Sequence, residues 1–261
     1  MIGALWRGAS GMRAQQLQVD SLANDVANLN TTAYKQGRVD FADLVYRSVR
    51  EGGMPVDTRA ATPPALGAGV KVAAVEKDFS QGTLVQTGDP LNLAIQGEGF
   101  LAVYRPNGTD WELLLTRDGN FHRDADGYLV NASGYYLDIS ADPPPEAENI
   151  TVAADGTVTA VINGETRVVG EISLYNVPNP TGLEAAGDNL YRETAASGAA
   201  AAGRPGEAGL GTLRSGYLEA ANVDLAATMT RLILAQRAYE LNSRSVRVAD
   251  EMWGLANNLR R

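Results

Sequence analysis

Apolar residues return at a helical period at both ends of this chain and at a period near two between them. Near the start, Leu5, Met12, Val19 and Val26 recur every seven residues, and Leu22 and Leu29 add a column three positions on. That is the spacing of a helix with a heptad seam. Ala9 and Ala23 lie beside the seam. Gly3, Gly8 and Gly11 each weaken a helix by about 1 kcal/mol relative to alanine, so this helix is predicted to need a partner. The run Asn28-Leu29-Asn30-Thr31-Thr32 reads as its stop, because Asn and Thr side chains compete for backbone hydrogen bonds.

A second, longer helix is predicted from about 222 to 259, uninterrupted by proline and capped by Asn222 or Asp224. Leu225, Leu232, Tyr239, Val246 and Trp253 form one heptad column. Leu234, Leu241, Val248 and Leu255 form another, offset by two residues, which is about 200° around a helix. A surface helix has one apolar stripe; two stripes predict cover on two sides. The spacing fits both a helix shared between its own chain and a neighbouring subunit and a central helix of an ordinary core.

Between the ends, runs such as Val70-Lys71-Val72, Leu91-Asn92-Leu93-Ala94-Ile95, Phe100-Leu101-Ala102-Val103-Tyr104, Thr157-Val158-Thr159-Ala160-Val161 and Arg167-Val168-Val169 predict short strands. Asn107-Gly108, Asp118-Gly119, Asp126-Gly127, Asp155-Gly156 and Asn163-Gly164 punctuate them as hairpin turns. The body is therefore predicted to be all-β and antiparallel. Residues 51–69 and 196–211, rich in Gly, Ala and Pro, read as connectors, and Pro143-Pro144-Pro145 as a stiff surface link. No internal repeat stands out.

Charge separates the ends from the body. Residues 1–50 hold six Lys/Arg against four Asp/Glu, residues 217–261 six against five, and the middle ten against twenty-two. So acidic a body argues against nucleic acid as a partner, which needs a basic surface. Near-neutral ends beside it suggest that the ends pack while the body stays soluble. The sequence holds no cysteine, which removes disulfides, thiolate catalysis and thiolate metal sites. No apolar stretch approaches the roughly 18 to 20 residues of a membrane span, and the N-terminus lacks the pattern of a cleaved secretory signal. Export, if it occurs, is expected to use no cleaved signal, and direct membrane insertion is not expected.

Candidate chemistry is sparse. His122, the single histidine, stands beside Arg123 and Asp124 between turn signals, where a surface or turn role is expected. Asp124-Ala125-Asp126-Gly127 resembles the opening of a calcium loop without its closing glutamate. Gly97-Glu98-Gly99-Phe100 is followed by no helix or Lys-Ser/Thr pair, so it does not suggest a phosphate cradle. Asp118 and Asp124 could form a carboxylate pair, a common chance occurrence in turn-rich β proteins. No catalytic residue, cofactor or metal is expected, and the chain is not expected to be an enzyme.

The two ends carry longer signatures. Leu17, Val19-Asp20, Leu22, Asn24, Ala27-Asn28, Asn30-Thr31 and Tyr34-Lys35 resemble the N-terminal motif of flagellar rod and hook proteins. Asn222-Val223-Asp224-Leu225, then Ala235-Gln236-Arg237-Ala238-Tyr239-Glu240, Asn242 and Asp250-Glu251-Met252 are similar to the C-terminal motif. Internal matches fall at Thr87-Gly88, Leu91, Leu93-Ala94-Ile95, Gly97, Gly99-Phe100 and Thr116-Arg117-Asp118-Gly119-Asn120-Phe121. The chain departs from the family pattern at Asp25, where a second asparagine is usual, and at Ala33, where glycine is usual. If that position takes positive φ, alanine costs about 1 kcal/mol there.

The resemblance implies a mainly β central domain over 67–215, an extended connector over 36–66, and a helical assembly domain built from 1–35 and 222–261, whose helices pair as a coiled-coil-like layer. It implies a structural subunit of the bacterial flagellar basal-body rod that polymerises into a hollow shaft around an export channel and transmits torque. The implied partners are copies of the chain, other rod subunits, the hook protein, and ring or bushing proteins around the rod. The site is then the apolar columns already named. Arg237, Arg244 and Arg247 are expected to face Asp20 or Asp25 across that layer. Within the family the opening Leu5-Trp6, Gly11-Met12 and Ala14-Gln15-Gln16, with Phe41, Asp43-Leu44 and Tyr46, looks most like a distal-rod subunit, and a proximal-rod subunit of the same family is the alternative. Two readings outside the family remain, a β-rich cell-surface binding module and a carbohydrate-active enzyme using a carboxylate pair.

Overall fold

Residues Ile2–Ala27 form one helix, α1, and Leu225–Asn258 another, α2. The structure is a computed structural model and describes residues 2–48, 65–107, 110–141, 143–144 and 146–258. Asp224 caps α2, its Oδ1 accepting from the Ala226 and Ala227 amides at 2.9 and 3.1 Å, which satisfies two of the donors a helix start leaves open. The chain divides into two units, one of Met1–Ala27, Gly37–Glu76 and Asp224–Arg261, the other of Asn28–Gln36 and Lys77–Val223.

In the first unit α1 and α2 run antiparallel. A Cβ built on Gly8 would lie 2.5 Å from Val246 Cγ2, and one on Gly11 2.9 Å from Asn242 Nδ2. Two of the three glycines that weaken α1 as an isolated helix thus lie where α2 packs on it, while Gly3 meets only Arg7 of its own helix. The α2 residues buried or half-buried along its length include Thr228, Leu232, Ala235, Asn242, Val246 and Ala249, a stripe mostly of small side chains. Strand Gly37–Asp43 pairs with Val70–Lys77, and Tyr46–Ser48 pairs antiparallel with Ala65–Gly67. Most of the predicted 51–69 connector, residues 51–64, lies outside the described residues.

The second unit is the β body. Its main sheet has seven strands in the order Glu184–Gly187, Leu190–Arg192, Asp110–Thr116, Leu101–Asn107, Tyr136–Leu137, Leu129–Asn131, Phe121–Arg123. The long hairpin pairs Leu101 with Thr116 through to Asn107 with Asp110. A three-stranded sheet follows, whose hairpin Thr157–Ile162/Glu165–Glu171 closes through Asn163 (φ 53°) and Gly164 (φ 84°), the double positive φ of a type I′ turn. Leu93, Ile95, Leu101, Val103, Leu114, Phe121, Val158, Ile172 and Leu213 fill the core between these sheets.

Two predicted features take other forms. Gly119 has no positive φ; a Cβ there would sit 1.5 Å from the Leu93 carbonyl oxygen, so this glycine serves a close backbone approach and not a hairpin turn. Within 196–211, Ala201–Gly203 pairs with Leu174–Asn176 and Leu210 packs in the core, so part of that low-complexity run belongs to the body.

Candidate functional site

The N- and C-terminal motif residues nearest the body meet at a buried ionic junction inside the second unit. Ala33, Tyr34 and Lys35 follow the turn that ends the N-terminal segment, where the Thr31 amide donates to the Asn28 carbonyl at 3.0 Å. Tyr217–Glu219 pairs antiparallel with Leu84–Gln86, which brings Glu219 beneath that turn. The Ala33 amide donates to the Glu219 carbonyl at 2.8 Å, and the Asn222 amide to the Tyr34 carbonyl at 3.3 Å. Asn222 adds a side-chain clamp, accepting from the Gln36 amide at 2.7 Å and donating to the Asp78 carbonyl at 2.7 Å. Of the two capping candidates, Asp224 therefore caps α2 and Asn222 ties the strands together.

At the centre, Lys35 Nζ donates to Glu219 Oε1 at 2.7 Å and to the Ser80 carbonyl at 2.7 Å. The Lys35 and Glu219 side chains are both 0% exposed. Glu219 Oε1 also accepts from the Gly82 amide at 2.7 Å, and Oε2 lies 3.4 Å from Arg117 NH1. Arg117 spends its other donors on the Gly99 and Gly97 carbonyls, at 3.0 and 2.5 Å, and its guanidinium lies 5.6 Å from the Phe100 ring centre. Phe79, Phe100 and Tyr191 pack edge to face around it at 5.0–6.3 Å. Burial pushes the Lys35 ammonium below its ordinary range against the pull of Glu219, and pushes the Tyr191 phenol up to about 12. One carboxylate thus serves two cations in a poorly hydrated site, where losing one partner is far more damaging than the pair is stabilising.

Asp118 lies close by. Its Oδ1 accepts from Thr32 Oγ1 at 2.9 Å and from the Asn120 amide at 3.1 Å, and burial raises its carboxyl above the usual range. Ala33 has φ 53° and is buried, so alanine does occupy the left-handed conformation that glycine would favour. Asp25 is also buried, and accepts from the Gly37 amide at 3.0 Å. Sequence reasoning missed Glu219 altogether and gave Arg117 no role, because a polar residue among apolar neighbours carries no sign of whether its charge is paired inside or solvated outside.

The apolar columns fall differently on the surface. On α1, Leu22 is buried, and Leu5, Met12, Val19 and Val26 are half-buried, as is Leu29 beyond the helix. On α2, Leu232 and Val246 are half-buried, while Leu225, Tyr239 and Trp253 of the same column are exposed. Every member of the other column, Leu234, Leu241, Val248 and Leu255, is exposed. Among the motif residues, Tyr34, Lys35 and Val223 are buried; Asn28, Thr31, Asn222 and Ala238 are half-buried; Asn24, Ala27, Gln236, Arg237 and Glu240 are exposed. Arg237, Arg244 and Arg247 are exposed and make no ion pair among the described residues.

His122 is exposed on the strand that pairs with Leu129–Asn131. Among the described residues no three His, Asp or Glu side chains are grouped as metal ligands, and no helix is long and apolar enough to cross a membrane.

Two helical ends joined to a hairpin-rich body define a class, and family models agree on it. The model of the flagella basal body rod protein matches residues 7–35, that of the flagellar hook protein FlgE/F/G D1 domain residues 94–160, and that of the flagellar basal body rod FlgEFG protein C-terminal region residues 214–259. These matches mark a flagellar rod or hook protein, and relatives matching along the whole chain narrow the class. The chain is 42% identical to the flagellar basal-body rod protein FlgG of Caulobacter vibrioides, covering 98% of this chain and 99% of the relative. It is 41% identical to that of Borreliella burgdorferi and 36% identical to that of Bacillus subtilis, both over 100% of each chain. It belongs to the FlgG family of flagellar basal-body rod proteins.

Proposed function

We propose that the chain is a structural subunit of the flagellar basal-body rod, in its distal part, and that it polymerises through its terminal segments into a hollow helical shaft. The shaft surrounds the export channel and transmits torque. The observation that carries this reading is the exposed column Leu234, Leu241, Val248 and Leu255 on a helix whose other side already rests on α1. Burying each such side chain is worth about 1.5–3 kcal/mol, a gain that the isolated chain forgoes. Contacts between unlike surfaces repeat into an open helical assembly wherever the rotation between copies does not close a ring.

In this reading residues 1–35 and 222–261 form the assembly domain, with α1 and α2 packing as a coiled-coil-like layer on copies of the chain and on other rod subunits. Residues 36–66 connect it to the body at 67–215. The hook protein and ring or bushing proteins are the remaining neighbours, in a basal body lying in the periplasm or cell-wall space, reached without a cleaved signal. Arg237, Arg244 and Arg247 are available to pair with acidic residues of adjacent copies.

Electron microscopy of the purified full chain at high concentration tests this. Tubes are expected from the wild type, and none from a Leu234→Glu, Leu241→Glu variant whose circular dichroism is unchanged. Tubes of equal number from that variant would overturn the assignment of this stripe.

A further inference from the structure

Two features of the unit that holds the helices are not used by the α1–α2 contact. The first is a groove of about 370 Å³ between α1 and the strand Val70–Lys77. Trp6, Leu17, Leu44 and Val70 supply its apolar lining, and Trp6 is 65% exposed at its mouth. Arg13 and Lys71 line it too; both are exposed, and neither has an ion pair among the described residues. Trp6, Arg13 and Leu17 are two, five and nine positions from Gly8, which places them roughly 140–200° around α1 from the glycine that meets α2. The chain's own α2 therefore lies on the wrong side of α1 to fill this groove.

The second feature is the end of α2. Val246 sits over Gly8; six residues of α1 precede Gly8, but twelve of α2 follow Val246. About six residues of α2, roughly 9 Å of helix, thus run on past the start of α1. This end is exposed throughout 250–256. Glu251, Met252 and Leu255 share one face by their i+3 and i+4 spacing, in line with the exposed Val248. Asp250 and Glu251, like Arg13 and Lys71, are without ion pairs among the described residues.

We propose that the end of α2 from one copy seats in the Trp6 groove of the next. Met252 and Leu255 lie against Trp6, Leu17, Leu44 and Val70, with Glu251, on the same face of α2, opposite Arg13 and Lys71. The occupant is a second copy because the projecting helix end has what the groove lacks, apolar side chains flanked by acid where the groove has an apolar floor flanked by bases. It also continues the exposed stripe already assigned to assembly. Groove and helix end are different surfaces, so the contact repeats head to tail, and it extends as a filament where the rotation between copies does not close a ring. This proposal rests on the reading of the chain as a self-assembling subunit, and adds which surface of one copy receives which surface of the next.

The sequence contains no cysteine, so introduced thiols report cleanly. A full chain carrying Ala9→Cys and Leu255→Cys is assembled, mildly oxidised, run on a non-reducing gel and imaged. A ladder of disulfide-linked multimers from the double variant, with no more than dimers from either single variant, is expected. Tubes without a ladder would overturn this pairing and leave the assembly reading standing. Absence of tubes from wild type as well as variant would overturn both. Independently, Arg13→Glu with Lys71→Glu is expected to raise the concentration needed for assembly on the order of tenfold or more, because it sets like charges together. Glu251→Lys should restore assembly in part, and failure of that swap in a variant with wild-type thermal stability would refute the charge pairing.

Discussion

Replacing Glu219 by glutamine changes almost nothing in shape and everything in charge. The carboxylate is fully buried, takes Lys35 at 2.7 Å and the Gly82 amide at 2.7 Å on one oxygen, and faces Arg117 at 3.4 Å with the other. Glutamine can still accept on one atom, but its amide group must then present donors to a cation. Lys35, with a side chain 0% exposed, has no route to water, and Arg117 cannot shed its proton. Removing one partner of a buried ion pair typically costs about 3–5 kcal/mol, and that is the expected loss for Glu219→Gln near neutral pH. For a unit of this size it corresponds to a fall in melting temperature of about 6–20 °C. Urea unfolding followed by the β-sheet circular dichroism of the full chain measures it.

The pH dependence separates this cause from a packing defect. Losing Glu219 lowers the folded-state pKa of Lys35 further below its ordinary value of 10.5. Between the lowered folded value and 10.5 the unfolded chain binds more protons than the folded one, so stability rises with pH across that window. The deficit of Glu219→Gln should therefore shrink as pH is raised toward 10.5. A double variant, Lys35→Met with Glu219→Gln, should lose less than the sum of the two single losses. A Glu219→Gln chain within about 1 kcal/mol of wild type at neutral pH, with a flat pH profile, would refute the reasoning.

Gly119→Ala is expected to destabilise the body by about 3 kcal/mol or more, since a Cβ 1.5 Å from the Leu93 carbonyl oxygen meets backbone that cannot rotate away; the same urea titration checks it. Asp118→Asn keeps the acceptor for Thr32 and Asn120 and removes a carboxyl whose folded pKa lies above its unfolded value. Wild-type stability from this group is fully present below the unfolded value of 3.8 and is lost as pH rises through the folded value. The variant should therefore match wild type at the acid end of the melting curve and exceed it near neutrality, a difference readable from thermal melts across that range.

The elements with a strong period are the legible ones. α1 and α2 follow from heptad columns, and the hairpin through Asn163-Gly164 from a dipeptide well suited to two positive φ values. The turn at Asp188 and Asn189, with φ 52° and 56°, has its glycine at Gly187, before the two central positions, and so lacks the Asn-Gly or Asp-Gly pair that marks the other hairpin. Strand Gly37–Asp43 alternates only through Val39 and Phe41 among charged residues, too few to stand out. Gly8 and Gly11 read in one dimension as weak points of a helix, and only the presence of α2 shows them to be its seat. The ionic junction was half legible. Lys35 stood out as part of a motif, but its partner is 184 residues away, and nothing in a local pattern reveals which charge will answer a buried one. On α2 the reverse holds: the small side chains that accompany α1, Ala235 and Ala249 among them, are inconspicuous in sequence, while the large apolar residues that attract attention are those left in solvent.

That exposed side of α2 is where self-assembly is most directly tested. Hydrogen exchange of the α2 amides between 230 and 256 can be followed in the soluble full chain and in assembled tubes. Exchange on the order of a hundredfold slower or more in the tubes is predicted, with the body amides nearly unchanged. Equal exchange of α2 in both states would contradict a role for this helix as the surface that copies of the chain cover.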